Sequence, residues 1–251
     1  MNKGSSFLLI ITLLSSCIMV KANGTVGGYG GVTLSAWTDD PPTIDGIMGP
    51  GEWVNADSYD FTTDHVPTPV DGTLYVMNDA ENLYIFVKIY RDDDAILTIK
   101  FDNDNDRIEW EEDDDGISYN WDNLDSFFDL HYSAWGSDPT TQDGQGAHTG
   151  GASHEYAEFS HPLNSGDPYD FALSIGDTVG FQICFDAEFA GIGYWPPQAN
   201  TTNDILIAGP PEPVGGELLG SSTPYILLIL LGSIILLSGI QTKKHLTALH
   251  N

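Results

Sequence analysis

The sequence comprises 251 residues and has a formal net charge of −29, with 37 acidic against eight basic side chains. A surface this acidic repels nucleic acids and anionic lipid headgroups, which argues against a nucleic-acid partner. Aromatic residues make up 11% of the chain, enough to build a hydrophobic core, and this argues against the disorder that is the usual alternative for acidic sequences.

Both ends of the chain contain apolar segments typical of targeting signals. Residues 1–22 carry a positive charge near the start at Lys3, continue with apolar residues and end at Ala22, which predicts a signal peptide. A lipoprotein signal with Cys17 as the lipidated residue is the alternative. Residues 223–240, TPYILLILLGSIILLSGI, lack charge and precede Lys243 and Lys244, so they predict one transmembrane helix followed by a basic cytoplasmic tail at residues 241–251.

This arrangement predicts a single-pass cell-membrane protein with residues 23–222 outside the cell. That part holds all 37 acidic residues and four of the eight basic ones. It divides into a glycine-rich leader (residues 23–31), a folded domain (residues 32–208) and a Pro/Gly stalk (residues 209–222). The stalk sequence PEPVGG also resembles prokaryotic sorting signals that lead to removal of the following helix. Together with the high acidity, this resemblance suggests a prokaryotic source, archaea included. Cys184 is the one cysteine of this part, so no intramolecular disulfide is expected.

The sequence of the folded domain predicts strands and no helices. Alternating residues 72–77, the turn at residues 78–82 and the apolar residues 83–89 predict a β-hairpin. Further strands are predicted at residues 95–101, 126–132, 155–160, 178–185 and 205–208. Many short strands without crossover helices predict an all-β fold, an antiparallel β-sandwich of jelly-roll type. Residues 133–153 are rich in Gly, Ser, Thr and Asp and predict a long surface loop.

Several motifs spread along this domain carry a family resemblance. They are Ile44-Asp45-Gly46, Glu52-Trp53, the segment DAENLYIFV at residues 79–87, Phe101-Asp102-Asn103-Asp104 and the segment NDILI at residues 203–207. Their order and spacing resemble family 9 carbohydrate-binding modules and their DOMON-like relatives. The resemblance implies a β-sandwich that binds calcium and, in sugar-binding members, holds a glycan between two tryptophans. Trp53 opens the domain and is expected in the core.

The resemblance also implies where a glycan would bind. Trp195, with Tyr194 beside it, lies where one of the two tryptophans is expected. The other would precede the strand ending at Phe101, where this chain has Arg-Asp-Asp-Asp at residues 91–94. Trp110 and Trp121, from the loop region that follows, are the remaining candidates for the ligand face.

The segment at residues 101–116 contains nine acidic side chains and one arginine. Alternate carboxylates at Asp102, Asp104 and Asp106 form a pattern that converges on a calcium ion. Glu112 and Asp113 are candidates to close the site. Arg107 at the sixth position, where an EF-hand has glycine, and the preceding strand indicate a calcium loop on a sandwich; the alternative is a solvated acidic loop. Crowded carboxylates without a counterion cost stability, which favours calcium.

Histidine and methionine suggest two further possibilities. His131, His148, His154 and His161 match no compact ligand spacing, so no histidine metal site is expected. DOMON-like relatives include haem binders that use Met with His or Lys, which makes a haem-binding redox domain a minor alternative. Its candidate ligands are Met48, Met77, His65, His161 and Lys88.

The sequence contains no nucleophile elbow or phosphate loop, so no enzymatic activity is expected. These observations predict a cell-surface, calcium-stabilised, non-catalytic domain that binds a glycan of the envelope or of a growth substrate. The alternative is a structural or adhesive surface protein that kept the fold but lost sugar binding. The missing second tryptophan favours this alternative, whereas Trp195 favours glycan binding.

Overall fold

A computed structural model describes residues 31–64, 68–91, 94–107, 111, 114–122, 124–132, 136–137, 141–151, 153–187, 191–197 and 202–212. The chain divides into two compact units, Met1–Pro210 and Pro211–Asn251, and every strand belongs to the first unit. The predicted signal peptide, transmembrane segment and cytoplasmic tail lie outside the described residues, as do Trp110, Glu112 and Asp113. Among the described residues, no helix has the length and hydropathy needed to cross a membrane.

The described residues form strands and no helix. The strands are β1 (Val32–Leu34), β2 (Ala36–Trp37), β3 (Asp57–Thr62), β4 (Asp71–Asn78), β5 (Asn82–Ile89), β6 (Ala95–Asp102), β7 (Asp115–Asn120), β8 (Ser126–His131), β9 (Gly136–Ser137), β10 (Gln145–Gly151), β11 (His154–Pro162), β12 (Thr178–Ala187), β13 (Gly191–Trp195) and β14 (Asn203–Leu206). The all-β prediction is therefore confirmed for the part of the chain that is described.

Two sheets stack into a sandwich. The larger sheet has the order β1-β14-β12-β6-β7-β8-β9, with β13 also paired to β12. The smaller sheet has the order β10-β11-β5-β4-β2, with β3 also paired to β4. The pairs β1–β14 and β2–β4 are parallel. Both sheets are therefore mixed, whereas the sequence predicted a wholly antiparallel sandwich.

The predicted hairpin is confirmed, because β4 and β5 pair antiparallel with Val76 opposite Ile85. The predicted strands around β6, β8, β11, β12 and β14 also exist. The predicted surface loop at residues 133–153 was wrong in part, because it contains β9 and the seven-residue β10. Strand β10 is rich in glycine and lies at the edge of its sheet, beside β11, so pairing with β11 rather than strand propensity holds it there.

The main hydrophobic core lies between the sheets. Phe159 and Ile85 from the smaller sheet and Phe101, Phe181 and Phe185 from the larger one are all at most 1% exposed. Residues one position apart along these strands point to opposite sides, so Tyr84 and Phe86 of β5 face away from this core. They form a second buried cluster with Trp53, Ala56 and Met77 on the outer face of the smaller sheet.

The loop that carries the Ile-Asp-Gly and Glu-Trp motifs covers this second cluster. Trp53 is 4% exposed and packs on Phe86 with ring centroids 5.4 Å apart, which confirms its predicted place in the core. The buried carboxylate of Glu158 on β11 accepts hydrogen bonds from the backbone N–H groups of Asp45 (3.0 Å) and Gly46 (2.8 Å) and from Trp53 Nε1 (2.9 Å). Glu158 thus explains why these motifs occur together.

Candidate functional site

A cleft of about 420 Å³ opens where the edges of the two sheets meet. Its lining residues come from β3, β4, β13 and the position just after β5: Asp60, Phe61, Thr62, Asp71, Gly72, Tyr90 and Trp195. The residues just after β3 join the two sheet edges, because Asp64 N donates to Tyr194 O (3.1 Å) and Tyr194 N donates to Asp64 Oδ1 (2.7 Å). We call this region the edge cleft.

Hydrogen bonds hold the two carboxylates of the edge cleft in fixed positions. Thr62 Oγ1 donates to Asp71 Oδ1 at 2.7 Å, and Thr73 Oγ1 donates to Asp60 Oδ1 at 2.8 Å. The Tyr90 hydroxyl lies 2.9 Å from Thr73 Oγ1, which links it to the same network. An ionised carboxylate has about four lone-pair sites. Both groups therefore have capacity to accept hydrogen bonds from a ligand.

The two aromatic residues of the edge cleft differ in exposure. Tyr90 is 43% exposed, with Lys88 Nζ 4.8 Å from its ring centroid. Trp195 is 6% exposed and stacks on Phe61, with centroids 5.2 Å apart and planes inclined by 26°. Tyr90 thus offers ring surface to an incoming molecule, whereas Trp195 belongs mainly to the core and contributes to the cleft wall.

The structure does not gather the predicted ligand residues on one face. Trp195 pairs with Ile183 of the core, and Tyr194 points to the other side of β13, where Lys100 Nζ lies 5.1 Å from its ring centroid. Trp121 stacks on His148 (4.4 Å between centroids) and packs against Phe185.

Trp121 is also remote from Trp195 along the larger sheet. Trp195 is on β13 and Trp121 directly follows β7, and β12 and β6 lie between these two strands. Three strand spacings correspond to roughly 14 Å. Trp110 lies outside the described residues.

Tyr90 is a candidate for the ligand face that the sequence analysis did not name. The resemblance implied a tryptophan before the strand that ends at Phe101, and residues 91–94 contain none. Tyr90 immediately precedes that segment. An aromatic residue other than tryptophan, just after the predicted strand at residues 83–89, was the available signal.

A second hollow, of about 340 Å³, lies on the outer face of the larger sheet. Most of its lining is apolar and includes Leu124, Phe128 and Ile192, with Asp186 as its one carboxylate. Ile192 is 45% exposed. Among the described residues, this hollow offers one carboxylate to a polar ligand, whereas the edge cleft offers two.

The acidic segment after β6 forms a compact turn around Asp102. Asp102, Asp104 and Asp106 each offer an oxygen within a space of 4.8 Å, and Asp102 is buried while the other two are exposed. Asp102 Oδ2 accepts hydrogen bonds from Arg107 N (2.8 Å) and Thr202 Oγ1 (3.1 Å). Burial raises the pKa of Asp102 despite these donors.

This carboxylate set fits a hard divalent cation. The carbonyl oxygen of the Asn105 side chain is buried within the same turn and accepts no hydrogen bond from the part of the chain that the structure describes. Carboxylate and amide oxygens are the ligands that calcium prefers. Asp102, Asp104 and Asp106 could therefore hold the predicted ion, and Glu112 and Asp113 lie outside the described residues.

A second cluster lies inside the sandwich, where the sequence suggested no histidine metal site. Asp115, Asp129, His161 and Asp170 place one ligand atom each within 4.8 Å of one another, and all four are buried. Burial raises the pKa of Asp115 well above its ordinary range, with Asp170 and Asp129 adding repulsion. Burial lowers the pKa of His161 to about 4. The four residues come from three strands and a loop, so no local spacing reveals them.

Two of the predicted haem ligands point in opposite directions. His161 pairs with Leu83 and Met77 pairs with Tyr84, and these adjacent residues of β5 face opposite sides of the smaller sheet. Met77 and His161 therefore do not form an axial pair. Met48 is 37% exposed, and His65 lies outside the described residues.

Comparison with solved structures gives matches to carbohydrate-binding modules. A family 9 module from Caldicellulosiruptor kristjanssonii in complex with glucose superposes with a TM-score of 0.54. A family 9 module from the same organism in complex with cellotriose superposes with a TM-score of 0.53. Both are 14% identical to this chain. These matches cover 74% of this chain and 97–100% of the modules. A Bacteroides uniformis protein matches with a TM-score of 0.50 and 7% identity, over 70% of this chain and 98% of its own.

No family model and no curated protein matches the sequence. The solved structures nevertheless define the fold: the described domain has the β-sandwich of family 9 carbohydrate-binding modules, as the motifs predicted.

Proposed function

We propose that residues 32–208 form a carbohydrate-binding domain whose glycan site is the edge cleft. The observation that carries this proposal is the meeting of the exposed Tyr90 ring with the carboxylates of Asp60 and Asp71 in one opening. The fold shared with modules crystallised with glucose and cellotriose supports the same class of ligand.

The chemistry of the edge cleft suits a sugar. A pyranose has an apolar face of C–H groups, which can pack on the Tyr90 ring, and hydroxyl groups at its rim. Aromatic side chains with a polar end combine these two kinds of contact. Hydroxyl donors bound by ionised Asp60 and Asp71 would form charge-assisted hydrogen bonds, which are roughly twice as strong as neutral ones. The cleft volume of about 420 Å³ falls within the usual range of about 300–1,000 Å³ for small-ligand sites.

Calcium belongs to this proposal as a structural ion. Asp102, Asp104 and Asp106 would hold it, with Glu112 and Asp113 as further candidate ligands. An ion there would neutralise carboxylates that otherwise repel one another. It would also fix the connection between β6 and β7, two neighbouring strands of the larger sheet.

The proposal extends to display at the cell surface and to a role without catalysis. The apolar segment at residues 223–240 would anchor the domain in the cell membrane, with residues 32–208 outside. The ligand would then be a glycan of the envelope or of a growth substrate. Glucose and cellotriose, which are bound in the two family 9 structures, are the first to test.

A structural or adhesive surface role is the second candidate. The observation that favours it is the 6% exposure of Trp195, which leaves little of the indole for stacking on a sugar. A domain of this kind would keep the fold and calcium without binding glycans.

The decisive experiment is glycan-array binding by the purified full-length protein with calcium, followed by calorimetry on any ligand found. Tyr90→Ala and Asp71→Asn alter the edge cleft, and Tyr90→Phe retains the ring. Ile192→Ser alters the second hollow, and Glu81→Gln removes a carboxylate at the opposite end of β5.

We expect Tyr90→Ala to weaken affinity by about 2- to 10-fold, in line with about 0.5–1.5 kcal/mol for a stacked aromatic contact. Ile192→Ser and Glu81→Gln should leave affinity unchanged. Loss of binding in Ile192→Ser with full affinity in Tyr90→Ala would move the site to the second hollow. An absence of any glycan ligand for the folded protein would favour the structural role.

A further inference from the structure

The buried cluster of Asp115, Asp129, His161 and Asp170 joins the two sheets. Asp115 on β7 and Asp129 on β8 belong to the larger sheet, and His161 on β11 belongs to the smaller one. Asp170 lies in the connection between β11 and β12. Asp115, Asp129 and His161 are each 0% exposed, and the Asp170 side chain is 1% exposed.

The imidazole of His161 directs a lone pair into this cluster. Its Nδ1 lies 2.8 Å from the Pro162 carbonyl, which can only accept, so Nδ1 carries the proton and donates. Nε2 is then an acceptor. It lies 3.7 Å from Asp115 Oδ2 and 3.8 Å from Asp170 Oδ2, and neither Nε2 nor Asp115 Oδ2 has a hydrogen-bond partner among the described residues.

Acceptors therefore face one another inside a closed interior. A buried acceptor without a donor costs about 1–3 kcal/mol, and more when it is charged. Such groups are normally paired or coordinate a metal. A divalent cation would satisfy the imidazole nitrogen and the carboxylate oxygens together, and would offset the repulsion among the carboxylates.

We propose that Asp115, Asp129, His161 and Asp170 form a structural metal site that binds a divalent transition-metal ion, Zn²⁺ or Mn²⁺, and ties the two sheets together. The imidazole selects the class of ion, because histidine nitrogen suits transition metals, whereas calcium and magnesium sites are built from oxygen. The Nδ1–H bond to Pro162 O orients the ring, as a carbonyl commonly does for metal-binding histidines.

The geometry around His161 requires only a small contraction, and all the ligand atoms of the cluster lie within 4.8 Å of one another. Zinc ligands lie about 2.0–2.2 Å from the metal, so two tetrahedral ligands are roughly 3.4 Å apart. The distances from His161 Nε2 to Asp115 Oδ2 and to Asp170 Oδ2 exceed this by about 0.3–0.4 Å. Side-chain adjustments of this size need no change in the pairing of β7, β8 and β11.

This site is independent of the proposed glycan cleft and of the calcium turn. The acidic surface will bind divalent ions weakly, so the test must separate this site from the surface. Full-length protein is stripped with chelator, equilibrated with Zn²⁺ or Mn²⁺ in the presence of millimolar calcium, and desalted. Elemental analysis then gives the ions retained per chain.

His161→Gln and Asp115→Asn remove single ligands, and Asp104→Asn, in the calcium turn, is the matched control. We expect about one tightly held ion per chain in wild type and in Asp104→Asn, and none in His161→Gln. At 100 times Kd the ion should raise Tm by about 5–10 °C, and both ligand variants should lose this rise.

Cobalt substitution tests the site without a mutation that affects folding. Co²⁺ in the wild-type protein should give visible absorption bands with the intensity of a low-coordinate nitrogen-containing site, and Zn²⁺ should abolish them. Retention of no ion, equal retention in folded His161→Gln, or stabilisation by calcium alone at this cluster would each overturn the proposal. In the first case protons, rather than a metal, would neutralise the carboxylates.

Discussion

Replacing Glu158 with glutamine should destabilise the protein by releasing the loop that covers the outer cluster. Glu158 Oε2 accepts from two backbone N–H groups, of Asp45 and Gly46, and Oε1 accepts from Trp53 Nε1. Glutamine keeps only one acceptor atom. If its oxygen faces the two backbone donors, its NH₂ group faces the indole N–H of Trp53, and this hydrogen bond is lost.

The magnitude follows from these three bonds. A hydrogen bond to a charged group contributes about 1.5–3 kcal/mol and a neutral one about 0.5–1.5 kcal/mol. Glutamine therefore loses about 2 kcal/mol at Trp53 and about 1 kcal/mol at each backbone donor. Burial raises the pKa of Glu158, so ionisation carries a desolvation cost that glutamine avoids. This offset leaves an expected net loss of about 2 kcal/mol.

Urea denaturation followed by tryptophan fluorescence measures this loss. With a slope of about 2 kcal/mol per molar urea, the midpoint should fall by about 1 M. Glu81→Gln, an exposed carboxylate at the β4–β5 turn, should stay within about 0.5 kcal/mol of wild type. An equally small change in Glu158→Gln would refute the role assigned to Glu158.

Gly46→Ala tests the same loop from its other side. Gly46 has φ +79°, and an added Cβ would lie 2.6–2.9 Å from backbone atoms of His148, which cannot move aside as a side-chain end can. Because both changes release one loop, the double variant should lose less stability than the sum of the single losses. Additive losses would show that Gly46 and Glu158 act separately.

Three further outcomes are expected. Adding calcium, but not magnesium, to chelator-treated protein should raise Tm by about 5–10 °C in a thermal-shift assay; Asp104→Asn should abolish this rise and His161→Gln should not. Burial, with a hydrogen bond to Asp79, raises the pKa of Tyr84. The protonated phenol of Tyr84 therefore stabilises the fold below pH 10, and this stabilisation is lost as the pH rises further. In an absorbance titration, the late-ionising phenol of the wild type should be missing from Tyr84→Phe. Phe159→Ala, at 0% exposure between the sheets, should cost about 3–5 kcal/mol in urea unfolding, and a loss below 1 kcal/mol would contradict its central place in the core.

Sequence periodicity was sufficient to predict a strand where the residues of the strand itself show the pattern. The segments at β4, β5 and β6 combine β-branched and aromatic residues with clear turns, so local pattern and final structure agree. Strand β10 has the sequence QGAHTGG, whose composition is that of a loop. Its conformation depends on Phe159 and its neighbours on β11, and this long-range pairing cannot be read from residues 145–151 alone.

The difference between local signals and long-range pairing also explains which of the two metal-binding clusters the sequence predicted. The calcium prediction at Asp102, Asp104 and Asp106 rested on residues that are neighbours in sequence, and the structure keeps them together. The second cluster depends on register: Ile117, two residues from Asp115, pairs with Asp129, so both carboxylates face the interior near the same end of the larger sheet. A shift of one residue in this pairing would turn Asp129 to the outer face. Asp115, near the end of the acidic segment, is therefore buried inside the sandwich, whereas Asp104 and Asp106 are exposed. The number of acidic residues alone could not distinguish the buried carboxylate from the exposed ones.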